Sequence, residues 1–364
     1  MKNDIIFINP ESLYELVFSI FNSLGSKKGE ADIIAEHLVA SNLVGHDSHG
    51  VIRIPKYLEW LRTGKVYSNR HAKIKLEKES IIVVSGDYGF GQVIAKEALN
   101  IAIEKAAKIG VAILTIKECG HLGRIGSWAE LVVKHSMASV HFVNTSGYGI
   151  LVAPYGGKDR RLSANPICAG IPVKGGEPII LDISTSKIAE GKIQVAKNNG
   201  KLLPEGCIIN GKGIPTRNAD EFYNEPHGVI LPFGDYKGYG LSLICEVFAG
   251  SLTGGRSSHP ENPDANKLNN NMFSIIFNPD NFSGNDFFYN DVIRLIEWVK
   301  SSSPISKNNK VLIPGDLERK TRKKRIIEGV PINLDLRKKL HDISVSLELS
   351  DEKKSCLEIY KDND

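Results

Sequence analysis

Val111-Ala112-Ile113-Leu114-Thr115-Ile116 leads into Gly120-His121-Leu122-Gly123-Arg124-Ile125-Gly126, and this short stretch decides the fold class. Six aliphatic and β-branched residues read as a buried strand. The glycines behind them make a turn, Ser127 to Met137 reads as a helix, and Ser139 to Val143 is the next strand. Strand, turn, helix and strand in succession place helices on a sheet, so the central chain is α/β. Upstream, Ile81 to Val84 is a short β-type run, and Gly86-Asp87-Tyr88-Gly89-Phe90-Gly91 turns into an alanine-rich helix that stops at Gly110. Downstream, the runs Ile167 to Ile171, Ile179 to Ile183 and Phe273 to Phe277 are separated by long loops, which predicts a mixed sheet in place of a regular doubly wound one. Gly238 to Leu252 is apolar around most of its surface, and a central buried helix is expected there.

The chain ends have a different texture. Asn9-Pro10-Glu11 is a helix start, with Leu13, Leu16, Val17, Ile20, Phe21 and Leu24 on one face and Gly25 as the stop. A second helix runs from Ser26 or Gly29 to Val44, and a short third one through Leu58, Trp60 and Leu61 closes at Thr63-Gly64. Composition shifts near residue 73. Helix returns after Asn285, and past Ser301-Ser302-Ser303-Pro304 the chain becomes basic, densest at Arg319 to Arg325. The last fifteen residues are charged and polar and are expected to fray.

At 364 residues the chain exceeds what one core usually supports, so two domains are expected. A net charge of +4 with both signs mixed along the chain gives no support to a global nucleic-acid or membrane role, and the amino terminus does not read as a secretory signal. No segment has the apolar length of a membrane helix. Five widely spaced cysteines without a Cys-x-x-Cys pair fit a reducing cytoplasm. Metal-ligand spacings such as His-Glu-x-x-His are missing, and no metal site is expected.

The chemistry concentrates in Asp47-Ser48-His49-Gly50-Val51-Ile52-Arg53-Ile54-Pro55-Lys56-Tyr57. An imidazole can hand a proton to a carbonyl oxygen, and an arginine fork can clamp a carboxylate. On a helix, positions i, i+4 and i+8 share a face, although Pro55 predicts a kink or a helix start. A merely solvated surface helix fits the same spacing. His121, behind a strand and before a helix, is a second candidate acid or base, or else a loop cap. Gly86-x-x-Gly89-x-Gly91 and Gly120-x-x-Gly123-x-x-Gly126 do not match the Gly-x-Gly-x-x-Gly dinucleotide fingerprint, so any nucleotide site here is not of the Rossmann type.

Taken in order, Asp47-Ser48-His49-Gly50-x-x-Arg53-x-x-x-Tyr57, Gly120-His121-x-Gly123, Asn144-Thr145-Ser146-Gly147, Ala153-Pro154-Tyr155-Gly156-Gly157, Asn165-Pro166, Asp182-Ile183-Ser184-Thr185-Ser186, Gly191-Lys192 and Lys237-Gly238-Tyr239-Gly240-Leu241 resemble the malate/L-lactate dehydrogenase family that lacks a Rossmann fold. Ureidoglycolate dehydrogenase, 2,3-diketo-L-gulonate reductase, sulfolactate dehydrogenase and a cyclic-imine reductase are members.

The resemblance implies a mixed-sheet α/β domain that binds NAD or NADP over residues 73–304. It also implies a helical domain built from both chain ends, 1–72 and 305–345, with 346–364 as a frayed tail. The implied partners are a small carboxylate substrate and a second copy of the chain in a homodimer. His49 and His121 would be the catalytic pair, with His49 the proton donor and His121 given that role in some members, while Ser48, Arg53 and Tyr57 line the substrate pocket. The cofactor would contact Asn144, Thr145 and Ser146, then Asp182, Ile183 and Ser184, then Lys237 and Gly238, then Gly315, Asp316, Leu317 and Glu318. Ser184 stands where relatives often carry alanine. The implied reaction is hydride transfer between a nicotinamide and the C2 of a 2-hydroxy or 2-oxo acid, or, in the imine-reductase reading, to a C=N bond. A nucleic-acid module using Arg319 to Arg325 is the distant alternative.

Overall fold

The computed structural model describes residues 5–147, 149–261, 268–306 and 309–357. Strand β1 (Ile5–Ile8) precedes α1 (Pro10–Ser23), whose start is set by chemistry legible in the sequence. The Asn9 side chain accepts the Glu11 and Ser12 amides at 2.8 and 3.3 Å, and Pro10 occupies the first helical position, where no donor is missed. The face carrying Leu13, Leu16, Val17, Ile20 and Phe21 is buried. Each such side chain contributes roughly 1.5–3 kcal/mol by leaving water. Helix α2 (Lys28–Leu43) packs on it, and after two 3-10 turns α3 (Ile54–Arg62) closes the unit.

The central sheet contains β2 (Lys73–Glu77), β3 (Ile81–Ser85), β4 (Val111–Cys119), β5 (Ala138–Ser146), β6 (Pro166–Ile171), β7 (Ile179–Ser184) and, from much later in the chain, β11 (Asn269–Phe277). Their order is β2-β3-β4-β11-β5-β6-β7. Only β3 and β4 pair in parallel; the other neighbours are antiparallel, which makes the sheet mixed as expected. The parallel pair is joined by α4 (Gly91–Ile109), whose Ala95, Ala98, Ala102 and Ala106 lie fully buried. Small side chains bring that helix close to the sheet, and Gly110 ends it at φ +89°. Helix α5 (Gly126–Val133) covers the far end of the sheet and stops short of the Met137 expected.

Between β7 and β11 lie α6 (Glu190–Asn198), the two-residue strands β8 (Ile208–Ile209), β9 (Pro215–Thr216) and β10 (Val229–Ile230) in a small sheet, α7 (Asp220–Tyr223) and α8 (Tyr236–Cys245). Helix α8 passes into a π-helical turn at Glu246–Leu252. The expectation of a helix buried all round fails here. Gly238, Ser242, Cys245, Glu246, Ala249 and Gly250 face inward, but Leu241, Leu243, Ile244, Val247 and Leu252 are exposed. Small residues pack on β5 and β11, and these large apolar side chains are left partly exposed.

The chain closes with α9 (Asn285–Lys300), α10 (Asp316–Glu328), β12 (Val330–Asn333), α11 (Leu334–Ser346) and α12 (Asp351–Lys354). Strand β12 pairs antiparallel with β1, and Val330, Ile332, Leu336 and Leu340 enter the same core cluster as Leu13, Ile20 and Leu38. The tail expected to fray from 346 is anchored as far as Leu357, which is fully buried and whose carbonyl accepts from Arg337 Nε. One apolar side chain reaching a core outweighs a polar neighbourhood. Residues 358–364 lie outside the described residues.

Two core histidines give the fold an acid limit. His37 Nε2 accepts the Arg124 amide at 2.9 Å, and His141 lies between the Ser139 and Ser274 hydroxyls at 2.9 and 2.7 Å. Burial pushes each from the usual value near 6.5 down to about 3, with Arg124 and Lys96 adding to the effect at His37. The unfolded chain takes up these protons below pH 6.5 and the folded chain does not. Stability is therefore unaffected by them above that pH and falls between 6.5 and 3, at up to about 1.4 kcal/mol per pH unit for each group. Urea midpoints at pH 7.5, 6.0 and 5.0 should fall in that order, less steeply in His141→Gln; a midpoint that rises on acidification contradicts this.

Candidate active site

Three chain segments build the site. His49, Arg53 and Tyr57 do not share one helix, because the chain makes 3-10 turns at Asp47–His49 and Val51–Arg53 and α3 starts at Ile54 with Pro55 in its first turn. Proline's missing donor and fixed φ favour that start. Gly50 sits so close to Asn42 that a Cβ there would collide with the amide. Asn42 accepts the Val51 amide at 2.9 Å and donates to Asp47 at 2.6 Å, and Arg325 grips Asp47 with both terminal nitrogens at 2.6 and 3.0 Å. The His49 turn is thus clamped by α2 and by α10. Arg319 is likewise tied to Asp316 at 2.6 Å and to the Pro178 carbonyl at 2.7 Å. Two arginines of the basic run are therefore committed within the protein rather than presented to a nucleic acid.

His121 and His49 stack with ring centroids 5.3 Å apart and planes 12° from parallel. His121 Nδ1 lies 2.7 Å from the Tyr57 hydroxyl, which accepts from Gln92 Nε2 at 2.7 Å. Tyr57 is almost fully buried and braces His121 from behind, so it does not form the pocket wall expected of it. With Nδ1 engaged, Nε2 is the nitrogen His121 turns to the open side. His49 Nδ1 is enclosed without a partner. Burial, and then the Arg53 charge, push both imidazoles well below 6.5, so both are neutral at pH 7.

Arg53 donates through Nε to the Ser48 carbonyl at 2.5 Å, and among the described residues it has no carboxylate partner. It lines a cleft of about 580 Å³ together with Lys56, Trp60, Leu151, Arg160 and Glu190. Gly191, at the start of α6, lies beside Ser48. A planar fork with free terminal nitrogens, beside paired imidazoles, suits a substrate carboxylate.

The residues expected to hold a nucleotide cluster around the ends of β5 to β7, but not all have free polar atoms. Asn144 is fully buried and spent on Glu246, the Arg256 carbonyl and Asn271. Ser146 donates to the Gly255 carbonyl at 3.2 Å, and Ser184 is bonded to the Ala164 carbonyl and to Ser186. Asp316 serves Arg319, the Ile313 amide and Lys300. The accessible donors and acceptors are fewer. Thr145 is half-buried and takes Asn270 Nδ2 at 2.9 Å. Asp182 caps α5 through the Gly126 amide at 2.8 Å by Oδ2. His46 links it to Glu318, at 3.9 Å from the one and 3.3 Å from the other. The His46 contact outweighs desolvation and holds the Glu318 carboxyl below its usual range. Ile183 is half-buried beside them, Leu317 is exposed, and Gly315 is buried at the start of α10. Lys237 is exposed at the start of α8, and Gly238 packs on the Phe233 and Thr185 carbonyls.

Gln92, Asn42, Asn270 and Arg124 were not singled out from the sequence. Arg124 is 1 % exposed, bonds Glu130 at 2.9 Å and leaves Nε without a hydrogen bond 3.8 Å from Asp182. Asn270 Oδ1 holds the Leu122 amide at 3.0 Å, next to His121. The run Asn269-Asn270-Asn271 heading an apolar strand was the available signal, since three amides in a core strand need partners. Among the described residues no cluster of His, Cys, Asp and Glu has the makings of a metal site, and no helix is long and apolar enough to cross a membrane.

The comparisons with known proteins agree with one another. The family model for malate/L-lactate dehydrogenase matches residues 8–341. Hydroxycarboxylate dehydrogenase B of Escherichia coli (strain K12) is 39% identical over 327 residues, covering 89% of each chain. The solved structure of sulfolactate dehydrogenase from Methanocaldococcus jannaschii superposes with a TM-score of 0.84 at 32% identity, covering 95% of this chain and 98% of that one. Malate dehydrogenase from Pyrococcus horikoshii OT3 gives 0.86 at 27% identity, over 96% and 97%. With sequence and fold in agreement over nearly its whole length, this chain belongs to the malate/L-lactate dehydrogenase family and is a hydroxy-acid dehydrogenase.

Proposed function

We propose that the enzyme moves a hydride between a nicotinamide nucleotide, NAD or NADP, and the C2 of a small 2-hydroxy or 2-oxo acid, with His121 as the proton carrier. The observation that carries this is the unpaired Arg53 fork beside a histidine braced through Nδ1. The donor set fits a nucleotide: the Asp182 and Glu318 carboxylates accept from hydroxyls or amides, Lys237 suits phosphate, and Thr145 offers a hydroxyl. When bound, the nicotinamide supplies or accepts the hydride. Arg53 holds the substrate carboxylate and aligns C2. In the oxidative direction neutral His121 takes the hydroxyl proton at Nε2, while its Nδ1 proton rests on the Tyr57 oxygen. In reduction the imidazolium returns that proton to the C2 oxygen. A carboxylate on Arg53 cancels the charge that depresses the imidazole, so substrate binding itself raises the proton affinity of His121. His49, which the resemblance favoured as donor, forms the opposing wall.

The exposed apolar side chains of α8 and its π-helical turn, together with Trp298 at 77% exposure on α9, support a homodimer that covers them. Five free thiols support a reducing, cytoplasmic setting. A panel of 2-oxo acids and cyclic imines, run with each reduced nicotinamide and followed by its absorbance, tests the reading. Turnover of an oxo acid supports it; turnover of imines alone assigns a C=N reductase, and no oxidation or reduction at all overturns it.

A further inference from the structure

The two glycine-rich turns, Gly86 to Gly91 and Gly120 to Gly126, are zipped together behind His121. The Gly120 amide donates to the Gly89 carbonyl at 2.8 Å, and Gly91 lies so close to the Gly120 and His121 carbonyls that a Cβ there would collide with them. Helix α4 therefore starts hard against the His121 loop, and its second residue, Gln92, is fully buried. Gln92 Nε2 lies 2.7 Å from the Tyr57 hydroxyl, which in turn lies 2.7 Å from His121 Nδ1. Gln92 Oε1 is enclosed, and among the described residues no donor holds it. An unpaired buried amide oxygen is unfavourable.

The two contacts of the phenol need two protons, and the phenol supplies one. Burial pushes the Tyr57 phenol up from its usual value, so that proton stays on at pH 7. The other comes from the amide or from the imidazole. With Nε2 on Tyr57, the amide donates, the phenol proton goes to His121 Nδ1, and the neutral ring carries its own proton on Nε2. That form cannot take a proton from a substrate. A half turn of the amide keeps its shape and brings Oε1 onto Tyr57. The phenol then donates to Oε1 and accepts from Nδ1, and Nε2 is left with a free lone pair.

We infer that Gln92 is a positioning residue for the proton transfer: with Oε1 toward Tyr57 it fixes the His121 proton on Nδ1 and leaves Nε2 to take the substrate proton. This rests on His121 as the proposed proton carrier, but which ring nitrogen is protonated can be read without turnover. During oxidation the substrate O–H bond breaks as the Nε2–H bond forms and hydride leaves C2 for the oxidised nicotinamide, while Tyr57 and Gln92 keep their own protons. The resulting imidazolium donates through Nδ1 to Tyr57, and the phenol supports that bond best when its own proton has an acceptor at Oε1. The charged and titratable groups that face His121 are Arg53 and His49 in the 3-10 turns, Tyr57 on α3 and His37 on α2, and a change at position 92 leaves all four in the chain.

Gln92→Met keeps the length of the side chain and removes both ends of the amide. Nitrogen-15 spectra of the histidine rings at pH 8, with the His121 signals assigned by their loss in His121→Ala, should show the Nδ1–H form in wild type and the Nε2–H form in Gln92→Met. In turnover, Gln92→Met should lower kcat about tenfold with KM changed by less than about twofold. The pH at which oxo-acid reduction falls to half should move down by about one unit, the worth of one buried hydrogen bond to the relay. Gln92→Glu retains an acceptor oxygen and should recover the Nδ1–H form. Tyr57→Phe already cuts the relay, so adding Gln92→Met to it should lower kcat by less than about twofold further. The Nε2–H form in wild type or in Gln92→Glu, an unmoved pH profile in Gln92→Met, or a further loss of about tenfold in the Tyr57→Phe background overturns the inference. Should Gln92→Met not fold, the wild-type and Gln92→Glu spectra decide. Should His121→Ala keep its turnover, the proton-carrier reading fails, and the ring spectra alone decide what Gln92 sets.

Discussion

Replacing His121 with alanine is expected to lower kcat for 2-oxo acid reduction by about 10²–10⁴-fold at pH 7, the range for losing a positioned general acid. Substrate affinity should change little, because Arg53, the proposed carboxylate clamp, is anchored independently on the Ser48 carbonyl. The stack with His49 makes this a sharp test. If the proton passed through His49 with His121 only as packing, His121→Ala would retain most of its turnover and His49→Ala would not. Pre-steady-state mixing of enzyme, reduced cofactor and oxo acid separates the chemical step from release and measures the effect where it arises.

The second large effect is expected at Arg53. Arg53→Lys keeps the charge but loses the planar pair of terminal nitrogens, and kcat/KM should fall by about 10–100-fold through both KM and kcat. Both parameters move because the same fork binds the acid and sets the attack geometry at C2. A further consequence concerns His121. The Arg53 charge is the largest electrostatic cause, after burial, of the depressed imidazole. In Arg53→Met the free-enzyme imidazole should titrate closer to 6.5, visible as an upward shift in the His121 ring resonances with pH. Unaltered activity in Arg53→Lys removes the clamp from the mechanism.

Local chemistry made much of the architecture legible. The Asn9-Pro10 start, the Gly25 and Gly110 stops and the β4 strand depend on caps, fixed dihedrals and side-chain pattern over a few residues. Strand β2 was missed because Lys73–Glu77 is a five-residue edge run exposed throughout, and two apolar residues, Ile74 and Leu76, alternating with charges are too short a pattern to mark a strand. Helix α8 was misread because an apolar composition does not say which of its side chains this chain itself covers, and Leu241, Leu243 and Ile244 stay exposed. The tail was misread because polar composition says little about a segment in which one leucine finds a core.

The site divides the same way. His49, Arg53 and His121 could be put forward from the sequence because imidazole and guanidinium at glycine-rich turns suit a small acid, although a solvated helix and a loop cap fit the same residues. The stacking of His49 on His121, the Gln92–Tyr57 brace and the Arg325–Asp47 clamp join residues 35 to 278 positions apart, and no sequence window reports them. Residue type and short-range pattern determined which chemistry this chain carries and which elements it forms. Only tertiary structure decided which polar atoms lack a partner among the described residues, as the Arg53 terminal nitrogens do, and which are consumed, as those of Asn144 and Ser184 are. The reason is that a hydrogen bond is set by distance and direction in space, and packing alone brings distant segments within that reach.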